Sequence, residues 1–253
     1  MKKAFIVTSA IEVDNNYPLT YSKTRSIFSN EERFRHTIYT INCLDHIADD
    51  ETTIFLLDTS ENYESYQGIL GYQKNLIFVP VKEWFPDVYQ LARTHPNKTY
   101  CETLMIISFF KRFEKELEAF DFFFKLSGRY FLDSGFDIKM FNESNIDKFF
   151  FKHPLKFEWH DHWPYQMVDR RAIQGDNKLY QYCSVLFGWG KECHHKMMDI
   201  YKVISAFTDH PKTLAYDLET LLYFFTREHE ANIVETDWLV YGWEGVSGTF
   251  MRY

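Results

Sequence analysis

Residues 121–132 read Asp-Phe-Phe-Phe-Lys-Leu-Ser-Gly-Arg-Tyr-Phe-Leu, and the order of residue types within them decides the fold. A short aromatic run, Phe122–Phe124, follows a helical pattern and stops at Lys125 and then at Ser127-Gly128-Arg129-Tyr130. That length and character belong to a buried central strand. Open α/β sheets bind ligands outside the carboxyl ends of such strands. Lys125 and Arg129 therefore set two positive charges beside Gly128, where backbone is able to approach a ligand closely. The chemistry suits an anion, with a diphosphate the first candidate. The competing reading is a structural turn whose arginine pairs with a nearby carboxylate.

Working outward, residues 3–10 form a first strand, and Ser29 with Glu32 makes a capping-box pattern. Phe34, Ile38, Ile41, Leu44 and Ile47 then recur at helical spacing, predicting a helix over 30–48. Residues 53–57 read as a strand, 61–70 as a weaker helix and 76–81 as another strand. Thr99 and Glu102 repeat the capping signature before a helix to about Leu117. Strands alternating with helices predict an α/β chain: a Rossmann-like three-layer α/β/α domain with a mostly parallel central sheet. Beyond residue 132, strands are expected at 149–151 and 183–187, with a loop-rich insert at 153–180 between them. Helices follow at 191–206 and 212–228, and short strands at 233–235 and 239–241. With no internal repeat or composition break, residues 1–253 read as one domain.

The 253 residues are 45% hydrophobic and 19% aromatic, enough for a sizeable core, while 10 Gly and 7 Pro leave little room for disordered linkers. A net charge of −8 and a pI of 5.7 argue against a general nucleic-acid binder, though a local basic pocket remains compatible. Met1-Lys2-Lys3 before Ala4-Phe5-Ile6-Val7 has the outline of an export signal, but the apolar stretch is short and lacks a cleavage site. No run approaches the ~18 apolar residues of a membrane span. Cys43, Cys101, Cys183 and Cys193 lack paired metal spacing and read as reduced thiols of a cytoplasmic protein.

Neither Gly-x-Gly-x-x-Gly after the first strand nor Gly-x-x-x-x-Gly-Lys-Ser/Thr occurs, which disfavours a dinucleotide oxidoreductase and a P-loop NTPase. Thr8 and Ser9 end the first strand; their hydroxyls suit contacts to a base or ribose, or simply a tight strand exit. Arg25 lies just before a capped helix, within reach of a phosphate there, although a surface arginine is the commoner role. His153, Glu158, His160, Asp161 and His162 are metal-ligand types, yet no third ligand has recognisable spacing. A polar, aromatic acceptor loop accounts for them equally well. Asp217 and Glu219 sit in a helical pattern and cannot share one face, so one is a candidate base and the other solvated. Residues 242–248 are glycine-rich, as a ligand-closing segment or a terminal turn.

Taken together, three stretches resemble a group of bacterial and viral glycosyltransferase-like proteins with the nucleotide-diphospho-sugar transferase (GT-A type) fold. They are Arg25-Ser26-Ile27-Phe28-Ser29-Asn30-Glu31-Glu32-Arg33-Phe34 with the helix carrying Thr37 and Thr40, Phe124-Lys125-Leu126-Ser127-Gly128-Arg129-Tyr130-Phe131-Leu132, and, more loosely, Asp217-Leu218-Glu219 with Gly245-Val246-Ser247-Gly248. The resemblance implies a nucleotide sugar held by residues 1–132 and a glycan acceptor held by residues 133–253, in surface polysaccharide or glycoconjugate synthesis. On this view Thr8, Ser9 and Arg25 bind the nucleotide. Lys125 and Arg129 stabilise the diphosphate, with Ser127 and Gly128 shaping its seat. Glu219 is the first choice of base and Asp161 the second, while Trp159, His160 and His162 meet the acceptor sugar.

The chain departs from that family at one place. GT-A enzymes usually carry Asp-x-Asp, holding a divalent metal, where Ser127-Gly128-Arg129 stands here. Lys125, Arg129 and Arg25 offer the positive charge a leaving diphosphate needs, so transfer without a required cofactor is the expectation. Manganese or magnesium held by Asp133 or Asp137 is the alternative. Two further functions stay open: a non-catalytic nucleotide- or carbohydrate-binding protein of the same fold, and a sugar nucleotidyltransferase.

Overall fold

The computed structural model describes residues 1–133, 135–158, 178–211 and 216–253. Its twelve strands are β1 (Lys3–Ser9), β2 (Thr52–Asp58), β3 (Leu76–Pro80), β4 (Phe122–Ser127), β5 (Tyr130–Leu132), β6 (Phe149–Lys152), β7 (Leu155–Glu158), β8 (Lys178–Gln181), β9 (Leu186–Gly190), β10 (Ile233–Thr236), β11 (Val240–Trp243) and β12 (Phe250–Arg252). The α-helices are α1 (Asn30–Ile47), α2 (Tyr63–Leu70), α3 (Val81–Trp84), α4 (Pro86–Thr94), α5 (Lys98–Arg112), α6 (Glu114–Leu117), α7 (His194–Asp209) and α8 (Leu218–Thr226).

Seven strands form the central sheet in the order β10-β6-β9-β4-β1-β2-β3. β1 to β4 are parallel along that sheet, and β10 is parallel to β6. β9 runs antiparallel to both β4 and β6, so the sheet is mostly rather than wholly parallel. β4 sits in the middle, and Phe122 and Phe124 are fully buried, as the aromatic run predicts. A second sheet, β12-β11-β5, and the β7–β8 hairpin flank the main one.

The pleat sends alternate side chains to opposite faces. Ala4 and Ile6 of β1 join a core with Ile106 and Phe109 of α5, Tyr201 and Ile204 of α7, and Leu221 and Leu222 of α8. Phe5 and Val7 join the other core with Ile41 and Leu44 of α1, Leu70 of α2, and Phe136, Phe141 and Trp238. Each fully buried aromatic side chain contributes about 1.5–3 kcal/mol before entropy is charged against it. The same alternation on β4 puts Phe123 in the α5–α7 core and turns Lys125 toward α5.

Local chemistry explains most boundaries. Ser29 and Glu32 close a true capping box on α1. The second capping signature fails: Asn97, not Thr99, caps α5 by accepting from the Tyr100 N–H, and Glu102 faces the sheet instead. α5 ends at Arg112, short of Leu117, which belongs to the single turn α6. Two helices between β3 and α5 go unanticipated; Pro86 begins one of them in the first turn, where its missing N–H costs nothing. The strand expected at 183–187 lies three residues later, and Asp217 is the N-cap of α8 rather than a residue inside a longer helix. Among the described residues no helix is long and apolar enough to cross a membrane.

Candidate functional site

At the carboxyl ends of β1 and β4 lies a cleft with two lobes. The larger is about 570 Å3 and is lined by Lys98, Ser127, Arg129, Ser184, Asp217 and Glu219 among others. The smaller is about 160 Å3 and touches Thr8, Ser9, Asp14, Arg25, Arg33 and Arg93. Lys98, Glu102, Ser127 and Arg129 border both. This is the crevice where parallel strands leave their last peptide groups facing a ligand. The reversed strand β9 brings in a third chain segment: because it starts where β4 ends, residues 181–185 reach the cleft.

The floor is built by close contact between strand ends. The Gly128 N–H donates to the Thr8 carbonyl at 2.8 Å, and the Thr37 hydroxyl donates to the Gly128 carbonyl at 3.2 Å. A Cβ on Gly128 would stand 3.1 Å from both the Ser9 Cβ and the Thr8 carbonyl oxygen. The glycine thus serves the packing of β4 against β1. Ser9 Oγ lies 3.2 Å from the Thr37 hydroxyl, tying the same corner to α1.

Lys125 is only 1% exposed. Its Nζ lies 2.5 Å from Glu102 Oε1 and donates to Ser127 Oγ at 2.9 Å and to the Ser184 carbonyl at 2.7 Å. Three acceptors saturate the three ammonium protons. Thr8 also donates to Glu102 Oε1, at 2.9 Å. Lys125 and Thr8 are therefore both held by a glutamate on α5, with Lys125 beneath the cleft and Thr8 at the wall of its smaller lobe.

Arg25 is likewise occupied. Its Nε donates to the Tyr17 carbonyl at 2.7 Å, Nη1 to the Ala92 carbonyl at 3.1 Å, and Nη2 to the His95 carbonyl. This guanidinium staples the 15–28 segment to the end of α4.

Three other cations face the cleft. Arg129 donates from Nε to the Trp243 carbonyl at 3.2 Å and accepts the Trp243 N–H on its own carbonyl at 3.3 Å. Its guanidinium lies against Gly245, where a Cβ would come within 3.2 Å of Nη2. Arg33, 4% exposed on α1, donates from Nε to the Ala10 carbonyl at 2.5 Å and from Nη1 to Ser26 Oγ at 2.9 Å. Lys98 begins α5 and donates to the Arg25 carbonyl at 3.0 Å. Among the described residues none of the three forms an ion pair. Burial and the neighbouring Arg129 and Arg33 charges push the Lys98 ammonium down to about 7. Burial, then Arg129, also lowers Arg33 well below the usual guanidinium range. Glu244 opposes the shift of Lys98 and Asp58 that of Arg33, and the cluster of cations that remains suits an anion.

The larger lobe also carries carboxylates. Glu219 lies in the first turn of α8, and the Tyr182 N–H donates to its carbonyl at 3.2 Å. Ser184 Oγ makes a short hydrogen bond to its Oε1. Burial, then the adjacent Asp217 charge, raises the Glu219 carboxyl to about 7. Asp217 is occupied by structure, since its Oδ1 accepts the Thr220 N–H at 2.7 Å as the α8 cap and its Oδ2 accepts from Gln181 at 3.1 Å. Tyr21, 66% exposed, stands at the opening of the larger lobe.

Of the expected site residues, the structure brings Thr8, Ser9, Arg25, Ser127, Arg129 and Glu219 to the cleft walls, with Lys125 and Gly128 packed under them. Trp159, His160, Asp161 and His162 lie outside the described residues. His153 does not reach the cleft; its Nδ1 lies 2.7 Å from Glu235 on β10. Asp137 caps a short turn after β5, and Asp133 accepts from the Tyr241 hydroxyl; neither lines the cleft. Among the described residues no group of three His, Cys, Asp or Glu side chains is placed to hold a metal.

Sequence reasoning missed Lys98 and gave Arg33 no role of its own. Lys98 had a usable signal, since a lysine in the first turn of a helix opposes the helix dipole and needs a reason to be there. Compared with known proteins, the chain matches no protein-family model and no curated protein.

Proposed function

We propose that the protein is a glycosyltransferase that moves a sugar from a nucleotide-sugar donor to a glycan acceptor, in surface polysaccharide or glycoconjugate synthesis. The observation that carries this reading is the mix of charge in one cleft: Arg129, Lys98 and Arg33, without ion-pair partners among the described residues, line its smaller lobe, and Glu219, with its raised carboxyl pKa, lines the larger lobe beside Lys98 and Arg129. Group transfer needs both. The bond from the sugar's anomeric carbon to the diphosphate oxygen breaks, and its electron pair leaves on the diphosphate. Fixed cations stabilise that developing charge without reorganising. The acceptor hydroxyl forms the new bond to the anomeric carbon and gives its proton to Glu219. A carboxylate with a pKa near 7 suits a base working at neutral pH.

Residues then divide by distance from the reaction. Arg129 and Glu219 are the catalytic residues. Lys125 positions Ser127 and Glu102, and Arg25 positions the segment bordering the nucleoside lobe. The Ser127-Gly128-Arg129 turn takes the place of a metal-binding acidic pair in this reading.

A thermal-shift panel of nucleoside diphosphates and nucleotide sugars, each in EDTA and in manganese, tests the proposal, because a ligand selective for the native state raises its stability. Stabilisation in EDTA by one nucleotide family, lost in Arg129→Ala, supports it. Stabilisation only with manganese replaces the cationic site by a metal site. No shift with any nucleotide at saturating concentration overturns it.

A further inference from the structure

The cationic wall carries a regulatory consequence that rests on the donor-site reading. Arg129 arrives from the turn after β4, Arg33 from α1 and Lys98 from the start of α5, so three separate elements deliver charge to one place. A guanidinium holds its proton far more firmly than an ammonium, so the lysine is the member of the cluster able to release one. The other charged groups around Lys98 are Arg25, whose carbonyl it touches, and Glu244, which follows β11 and opposes the arginines. Glu102, one turn along α5, is committed to Lys125, while Asp14 and Arg93 pair with each other at 3.6 Å farther along the smaller lobe.

We infer that Lys98 is a ligand of the donor diphosphate, and that entry of the diphosphate between Lys98, Arg33 and Arg129 draws a proton from solution onto Lys98 Nζ. The site gathers three cations, with Glu244 opposing at Lys98 and Asp58 at Arg33, and the ammonium is pushed down to about 7 by burial and by Arg129 and Arg33. A diphosphate reverses the sign of the local field and restores the ammonium. Donor affinity then falls above pH 7, approaching about tenfold per pH unit.

Isothermal titration of the nucleotide sugar selected by the stability panel, at pH 8 in two buffers of different ionisation enthalpy, measures the protons bound. A nucleotide sugar is the right probe because its diphosphate diester has no group titrating near neutrality. The expected result is uptake of roughly 0.5–1 proton per site in the wild type and in Glu219→Gln. In Lys98→Arg, which stays charged, uptake falls close to zero while binding persists and loses its pH dependence. Binding without proton uptake in the wild type, or equal uptake in Lys98→Arg, overturns the inference and leaves the proposed function standing. Absence of binding by every nucleotide sugar removes the function and the inference together, which is a distinguishable outcome.

Discussion

The buried Lys125 and the part-exposed Glu102 form an ion pair at 2.5 Å that joins the central strand β4 to helix α5 at the base of the cleft. Removing the lysine leaves that carboxylate without its partner, which costs about 2–3 kcal/mol, below the cost for a fully buried pair because Glu102 keeps some access to water. Lys125→Ala is therefore expected to lower the unfolding free energy, measured by urea titration, by that much. Lys125→Met with Glu102→Gln recovers most of the loss, because no charge is left without a partner. A Lys125→Ala variant with normal stability and weakened donor binding would place this lysine in the cleft instead.

Arg25 predicts a different failure. Its guanidinium serves three carbonyls on two segments, and each charged hydrogen bond contributes about 1.5–3 kcal/mol. Arg25→Ala is expected to destabilise the protein by at least about 2 kcal/mol and to open residues 15–28 to proteolysis. The salt dependence of donor binding stays as in the wild type, since this charge does not meet the phosphates. A flatter salt dependence in the variant would contradict that.

Arg129 carries the opposite signature. In the proposed transfer, Arg129→Ala removes a preorganised donor at the leaving group and is expected to cost roughly 10²–10³ in kcat. Thermal stability without ligand changes little. Arg129→Lys restores only part of the rate, because a point charge cannot reproduce the planar fork.

Glu219 gives the pH profile. As a base it works ionised, so kcat rises with pH through about 7, and Glu219→Gln loses that limb with roughly 10²–10⁴ of the rate. In the role inferred for it, Lys98 is charged in the donor complex, so proton uptake on binding makes kcat/KM also fall above about 7. The two limbs make kcat/KM bell-shaped while kcat keeps only the ascending side. A flat profile in both would remove Glu219 from the chemistry.

The same two groups shape stability against pH in the absence of ligand. The Glu219 pKa is raised from 4.5 to about 7, so its contribution is full below 4.5 and disappears as pH rises through 7. The Lys98 pKa is lowered from 10.5 to about 7, so its contribution is present above 10.5 and disappears as pH falls through 7. Denaturation of Glu219→Gln and Lys98→Met across pH 4–11 is expected to flatten the acid-side and alkaline-side slopes respectively. A variant whose slope matches the wild type would refute its half of the prediction.

What is legible in the chain is what local chemistry determines. The capping box at Ser29 and Glu32 starts α1 where expected, and the aromatic run at 122–124 becomes the middle strand. Thr99 and Glu102 carry the same letters as a capping box, yet Lys125 and Thr8 hold that glutamate toward the sheet from residues distant in the chain. Gly128 reads correctly as a point of close approach, but the approaching group is β1. Lys98 and Arg33 stay hidden for the same reason: their meeting with Arg129 is made by the crossing of α1, α5 and β4, and no spacing records it.

The reciprocal bonds between Arg129 and Trp243 link residues 114 positions apart. A contact between residues so far apart carries a loop-closure cost and belongs to the non-local pairings that slow folding. A fragment ending after β5 would carry the strands that frame the anion wall, yet its arginine would lack the ribbon that aims it. The proposed anion site would then depend on strands late in the chain, and the separated halves should bind a nucleotide sugar only when recombined.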